Sequence, residues 1–289
     1  MIEKRLIWVL ILISQFTFSQ IKGVVKDSIS GKPVSFANIW IENENNGTTT
    51  EENGEFNISI SEKSKNFIVS AIGYKKKTIK ISEAKQIFLS PSDVQIKEVI
   101  ISNRKNTKEI EIGKTKSLIS QAFENGPKID VKYFPYLTSY KKTKYLKKII
   151  LNTDNRKEEA TIRIHLFSVG NDGLPDKELL NKDLIITIKN GVRNNKIDIT
   201  SFDIKMPING VFVGFEKLMI ESNRLEKTSF DTNSQTTKIH RTYCPYILYN
   251  NVEKDTKFIF QGGKWIKKMT DSSLKTTIDE PSINLILTN

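Results

Sequence analysis

Residues 21–59 read IKGVVKDSISGKPVSFANIWIENENNGTTTEENGEFNIS, and the chain continues through FIVSAIGYKKKTIKI (67–81) to IFLSPSDVQIKEVIIS (87–102). Apolar and polar residues alternate here in short runs, the period of strands with one buried face. Ile21, Gly23 and Val25 make one run, closed by Asp27 to Pro33, where Gly31 and Pro33 supply turn geometry. Phe36, Ile39 and Ile41 lead into the tip Asn43 to Gly47, and Asn53-Gly54 signals a hairpin before Phe56, Ile58 and Ile60. Phe67, Val69 and Ala71, then Ile79 and Ile81, then Ile87 and Leu89 bring the total to about seven short strands, the density of a small β-sandwich.

Upstream, Lys4 and Arg5 precede an apolar run from Leu6 to Ile13 and a small-residue end at Ser19. That is the build of a cleaved signal peptide over residues 1–19, with an apolar run too short to span a bilayer. The mature chain is therefore expected to begin at Gln20, exported to the periplasm or to the outer membrane and cell surface. No later segment has the roughly eighteen consecutive apolar residues of a membrane helix, so no membrane span is expected in the mature chain. Cys244 is the one cysteine, so no intramolecular disulfide forms; before Pro245 and among aromatics it reads as a small buried apolar residue. The net charge is +12, but Lys75 to Lys77, Lys141, Lys142, Lys147 and Lys148 are spread along strand-like text. This points to a solvated face that discourages edge pairing, not to a nucleic-acid partner.

The order Gly23-Val24-Val25-x-Asp27, Gly31-x-Pro33-Val34, Ala37-x-Ile39, Gly47-Thr48-x-Thr50, Asn53-Gly54-x-Phe56, Ser70-Ala71-Ile72-Gly73-Tyr74 and Glu98-Val99 resembles the carboxypeptidase-like regulatory domain. The resemblance implies a transthyretin-like sandwich over residues 20–101 and an envelope location in Bacteroidetes-type bacteria. That domain is an accessory in zinc carboxypeptidases and an N-terminal extension in many outer-membrane receptors. The motifs also have a plain structural account, since the glycines permit tight turns while Phe56 and Ile39 fill a core.

Residues 102–112 read as a linker or frayed strand, and 113–289 as a second β-sandwich of jelly-roll type. Its strand candidates are Leu146 to Leu151, Ala160 to Val169, Leu184 to Ile188, Lys196 to Ile199, Val211 to Leu218 and Lys257 to Phe260. Turns are expected at Asn155-Arg156, Asn171-Asp172-Gly173, Asn190-Gly191 and Asn209-Gly210. The order Ile162-x-Ile164-x-Leu166, Asp172-Gly173-Leu174-Pro175 and Gly210-Val211-Phe212-Val213-Gly214-Phe215-Glu216 looks like the sandwich that often follows such a regulatory domain, an arrangement that brings no assigned activity with it.

A zinc carboxypeptidase needs His-x-x-Glu and a distant second His. The two histidines, His165 and His240, are followed three places on by Ser168 and Tyr243, so the ligand motif is absent and no cofactor is expected. Neither a Gly-x-Ser-x-Gly nucleophile elbow nor a phosphate-binding loop occurs. Two features offer binding chemistry. Asn171, Asp172 and Asp176 place oxygen ligands suited to calcium in one loop, without the full EF-hand spacing. Tyr133, Tyr136, Tyr140 and Tyr145 offer rings to the C–H faces of sugars, although tyrosine at alternating positions also packs sheets. The sequence thus points to an all-β, non-enzymatic accessory, binding or assembly protein of the envelope, whose partner is an envelope protein or a glycan. A carbohydrate-binding protein and a hydrolase with an unrecognised site are the alternatives.

Overall fold

The computed structural model describes residues 19–61, 63–92, 107–115, 119–121, 127–231, 235–254, 256–269 and 277–289. The expected signal peptide lies outside these residues except for Ser19, which opens the first strand. The described chain is all-β, with short 3-10 turns and no α-helix.

The N-terminal module comprises β1 (Ser19–Asp27), β2 (Asn38–Ile41), β3 (Gly47–Thr49), β4 (Glu55–Ile60), β5 (Asn66–Ser70), β6 (Lys77–Lys80) and β7 (Gln86–Leu89). They form two sheets, β4-β1-β7 and β3-β2-β5-β6, with β1 and β7 parallel. Val25, Phe56, Ile58 and Ile87 from one sheet meet Ile39, Ile41, Phe67 and Val69 from the other. Each such burial contributes about 1.5–3 kcal/mol, which is why the period-2 pattern sets the register. The Asn53-Gly54 turn is present, with Gly54 at φ +77. It is not a hairpin, because β3 and β4 belong to opposite sheets. A local ring of bonds, Gly54 N–H to Glu51 O (2.9 Å) and Glu51 N–H to Glu55 O (2.8 Å), carries the chain across the sandwich instead.

The second module comprises β8 (Glu109–Ile112), β9 (Ile119–Gln121), β10 (Ile129–Phe134), β11 (Tyr145–Val169), β12 (Pro175–Glu178), β13 (Leu184–Asp198), β14 (Val211–Lys217), β15 (Arg224–Asp231), β16 (Thr236–Tyr243), β17 (Tyr246–Glu253), β18 (Thr256–Gln261), β19 (Lys264–Met269), β20 (Thr277–Pro281) and β21 (Ile283–Thr288). All but the β15-β16 ribbon belong to one 12-stranded sheet. The sheet closes over its own core, in which Leu146, Ile149 and Leu151 from the start of β11 meet Ile164, Phe215 and Leu285. The segment expected as a linker splits: 102–106 lies outside the described residues, whereas Glu109–Ile112 pairs with β21 as β8.

Two expected turns are not turns. Asn155-Arg156 and Asn190-Gly191 face each other inside the 25-residue β11 and its partner β13. The register runs from Asn155↔Gly191 to Glu159↔Lys189, so residues 156–158 stand opposite Asn190 alone. Gly191 takes φ +95, Asn155 Nδ2 donates to Ile188 O (2.7 Å) and Asn190 Nδ2 to Lys157 O (3.1 Å). The turn-forming residues therefore build a bulge, which lets one long strand bend from layer to layer. The other two turns form as expected, with Gly173 and Gly210 at positive φ.

Candidate functional site

The four residues of β2 are all buried, although alternate ones point away from the N-terminal core. Ile39 and Ile41 enter that core, so Asn38 and Trp40 occupy the other face and are covered by the second module. The Trp40 ring meets Phe260 of β18 edge-on, with centroids 5.6 Å apart. Thr49 Oγ1 accepts the Met219 N–H (3.2 Å), and Glu51 accepts the Glu221 N–H (2.7 Å).

The facing surface belongs to β11 and β14. Ile162, Ile164 and Leu166 of β11 face the core, so Arg163, His165 and Phe167 share the opposite face. Arg163 is 1% exposed. Its Nη1 donates to Glu216 (2.9 Å), its Nη2 to Asp183 (3.2 Å), and the same Nη2 reaches the Phe36 carbonyl of the N-terminal module at 2.6 Å. Phe36 is held at φ +56, unusual for a bulky residue. His165 places Nδ1 2.7 Å from Glu178 and Nε2 3.1 Å from Glu216. It pairs in register with Gly214, where a Cβ would lie 2.5 Å from Val131 Cγ1 and 2.8 Å from the Asp130 carbonyl.

Burial alone would push the His165 imidazolium down, but the hydrogen bonds and charges of Glu178 and Glu216 raise its pKa to about 9. Burial would likewise raise Glu216, yet the His165 bond, the charges of Arg163 and His165 and a bond from Asn38 hold it at about 2. His165 and Glu216 are therefore both charged at neutral pH, with both imidazole nitrogens engaged by carboxylates, so His165 offers no free lone pair to a substrate or metal.

Beside this seam an open groove of about 760 Å³ runs between the modules. Lys22, Glu55 and Asn57 form one wall, and Glu221, Arg224 and Arg241 the other. Arg224 is held by Glu221 (2.6 Å) and Arg241 by Glu226 (2.9 Å), so this second wall presents paired charges.

The four tyrosines anticipated from sequence do not form one exposed row. Tyr140 is buried in the main core and presents no ring to solvent. Tyr136 packs edge-on against it (6.3 Å), and Tyr145 lies at the start of β11, bridged to Lys205. Tyr133 alone of the four is 36% exposed, its hydroxyl donating to Asn209 O (2.9 Å) and its ring against Phe212 (5.1 Å). The expected row of sugar-facing rings is thus dispersed, because the 3-10 turn Thr138–Lys142 rotates Tyr140 inward. In the 171–176 loop, Asp172 Oδ1 accepts the Leu174 N–H (3.0 Å), an Asx turn. Among the described residues no group of three or more His, Cys, Asp or Glu is placed to hold a metal. Cys244 is fully buried beside Tyr246, and His240 sits on the exposed ribbon, 2.7 Å from Ser229 Oγ.

Residues 21–101 match the CarboxypepD_reg-like domain family, which accounts for the N-terminal module; the chain continues into further β-sandwich structure. No curated protein matches the chain. Among solved structures, the cysteine protease and lectin-like domains of a surface layer associated protein of Clostridium difficile align at a TM-score of 0.37 and 11% identity. The alignment covers 88% of this chain and 58% of that one, and at this level it carries no argument about function.

Proposed function

We propose that the chain is an exported, non-catalytic accessory protein of the bacterial envelope, in which the regulatory-type module is a fixed wall of a two-module binding body. The observation that carries this reading is β2, a strand buried on both faces because its Asn38 and Trp40 side is sealed by the second module. Two further features support it. Two strongly perturbed ionisable groups, His165 and Glu216, are spent on that seam and closed to substrate. An open groove lies between the modules, where both contribute walls. Export rests on the charged head and short apolar run ahead of Ser19.

The test uses the mature protein beginning at Gln20. A single cooperative unfolding transition that splits in two in Trp40→Ala is the expected outcome. Two independent transitions in the unaltered protein would remove the fixed-wall reading, and turnover of any glycan or peptide would remove the non-catalytic one. Recovery of intact Met1 from envelope fractions would contradict cleavage.

A further inference from the structure

A second ionic network lies at the far side of the sheet. β10 pairs with β14 along its whole length, but with β18 only from Ile129 to Val131. Beyond Val131 the strands diverge and open a cleft of about 160 Å³. Tyr133, Phe258 and Ile278 form apolar walls, and Lys254, Lys257 and Glu280 supply the charge. Just beneath, Asp130 is held by Lys128 (2.7 Å) and by the Tyr249 hydroxyl (2.7 Å), while Lys257 stands 3.9 Å away. Glu280 is shared by Lys132 (3.3 Å) and Lys254.

Each carboxylate is therefore already engaged by one ammonium before the cleft lysines are counted. Among the described residues lining the cleft, Glu280 is the one carboxylate against Lys254 and Lys257. Burial pushes Lys132 down; Glu280 opposes this, and the charge of Lys254 adds to the downward push, so the lysines repel one another. The volume is well below the roughly 300–1,000 Å³ of a drug-sized pocket, enough for one ring. Tyr133 is a rigid wall, since its hydroxyl and its ring are both held.

We propose that this cleft binds a small organic anion, one ring bearing a single carboxylate, sulfate or phosphate ester, with its anionic oxygens on Lys254 and Lys257 and its body against Tyr133 and Phe258. The proposal is independent of the accessory reading above.

Calorimetric titration of the mature protein at low ionic strength with benzoate, glucuronate, inorganic sulfate and glucose tests it. Saturable binding of benzoate or glucuronate at about 1 mM or tighter is expected, with no binding of glucose. Lys254→Met combined with Lys257→Met weakens it by about tenfold or more, a loss typical of charge-assisted contacts. Thr256→Trp, which fills the cleft while keeping both lysines, abolishes it. Benzoate against glucuronate tells an apolar body from a sugar body. Sulfate binding as tightly as either would overturn the ring-sized part of the proposal. Absence of saturable binding by both organic anions, or binding that survives both variants, would overturn the whole.

Discussion

The two buried ionic networks of the second module sit on one sheet and differ in how they are closed. At the seam, Arg163 and His165 face three carboxylates, Glu216, Glu178 and Asp183, under the cover of Phe36 and Asn38 from the other module. At the cleft, four lysines share Asp130 and Glu280, and two of them, Lys254 and Lys257, line the opening. A covered network holds parts together, whereas one whose lysines line an opening keeps capacity for a ligand. The same residue chemistry thus serves two purposes, according to what lies over it.

The largest effect should come from breaking the closed network. Arg163→Met leaves the buried Glu216 without its arginine, the half-buried Asp183 without its partner and the Phe36 carbonyl without its donor, at a cost of about 3–5 kcal/mol in chemical denaturation. Next, Trp40→Ala opens a cavity against Phe260 and should cost about 3 kcal/mol. Trp40→Phe should cost much less, since the indole Nε1 has no hydrogen-bond partner to lose. If either large loss is absent, the seam is not the holding contact described here.

The pH dependence sharpens the same contrast. His165 has its folded pKa raised from 6.5 to about 9, so its contribution is complete below 6.5 and lost as pH rises through 9. Glu216 is lowered from 4.5 to about 2, so its contribution is complete above 4.5 and lost as pH falls through 2. Stability from the seam should therefore be greatest between about 4.5 and 6.5, then decline by on the order of 3 kcal/mol towards pH 10. His165→Gln should flatten that alkaline decline, which denaturation at pH 6, 8 and 10 would measure.

The N-terminal sandwich was legible in the sequence because its inward residues alternate strictly, as in Glu55–Ile60 with Phe56 and Ile58. The seam was not, although its signal was present. Ile162-x-Ile164-x-Leu166 draws the eye to one face of β11, while the intervening Arg163, His165 and Phe167 carry the other. A strand with large residues on both faces is one buried twice, and Ile39-Trp40-Ile41 says the same of β2. The ribbon β15-β16 escaped because its strands are solvated along most of their length, so TTKIHRTY shows little alternation. The cleft draws on β10, β18 and β20, between Asp130 and Glu280, a separation that no local spacing reveals. Tyr133 was singled out from sequence and does reach that cleft, but without the tyrosines expected beside it.

The smallest effect decides the comparison. Lys254 is 44% exposed on its side chain, and its partner Glu280 keeps Lys132 when Lys254 is removed. An ion pair open to water contributes about 0–1 kcal/mol, and loss of Lys254 also relieves its repulsion of Lys132. Lys254→Met should therefore change stability by less than about 1 kcal/mol, in either direction, at low salt. The substitution removes a lysine from an ionic network with a buried carboxylate, much as Arg163→Met removes an arginine from one, so the two measurements form a matched pair. Comparable losses would mean that the cleft lysines hold the fold as Arg163 does, and the distinction between covered and open networks would collapse. A loss confined to Arg163→Met would show that the cleft lysines are dispensable to the fold, as the contrast between a covered and an open network requires.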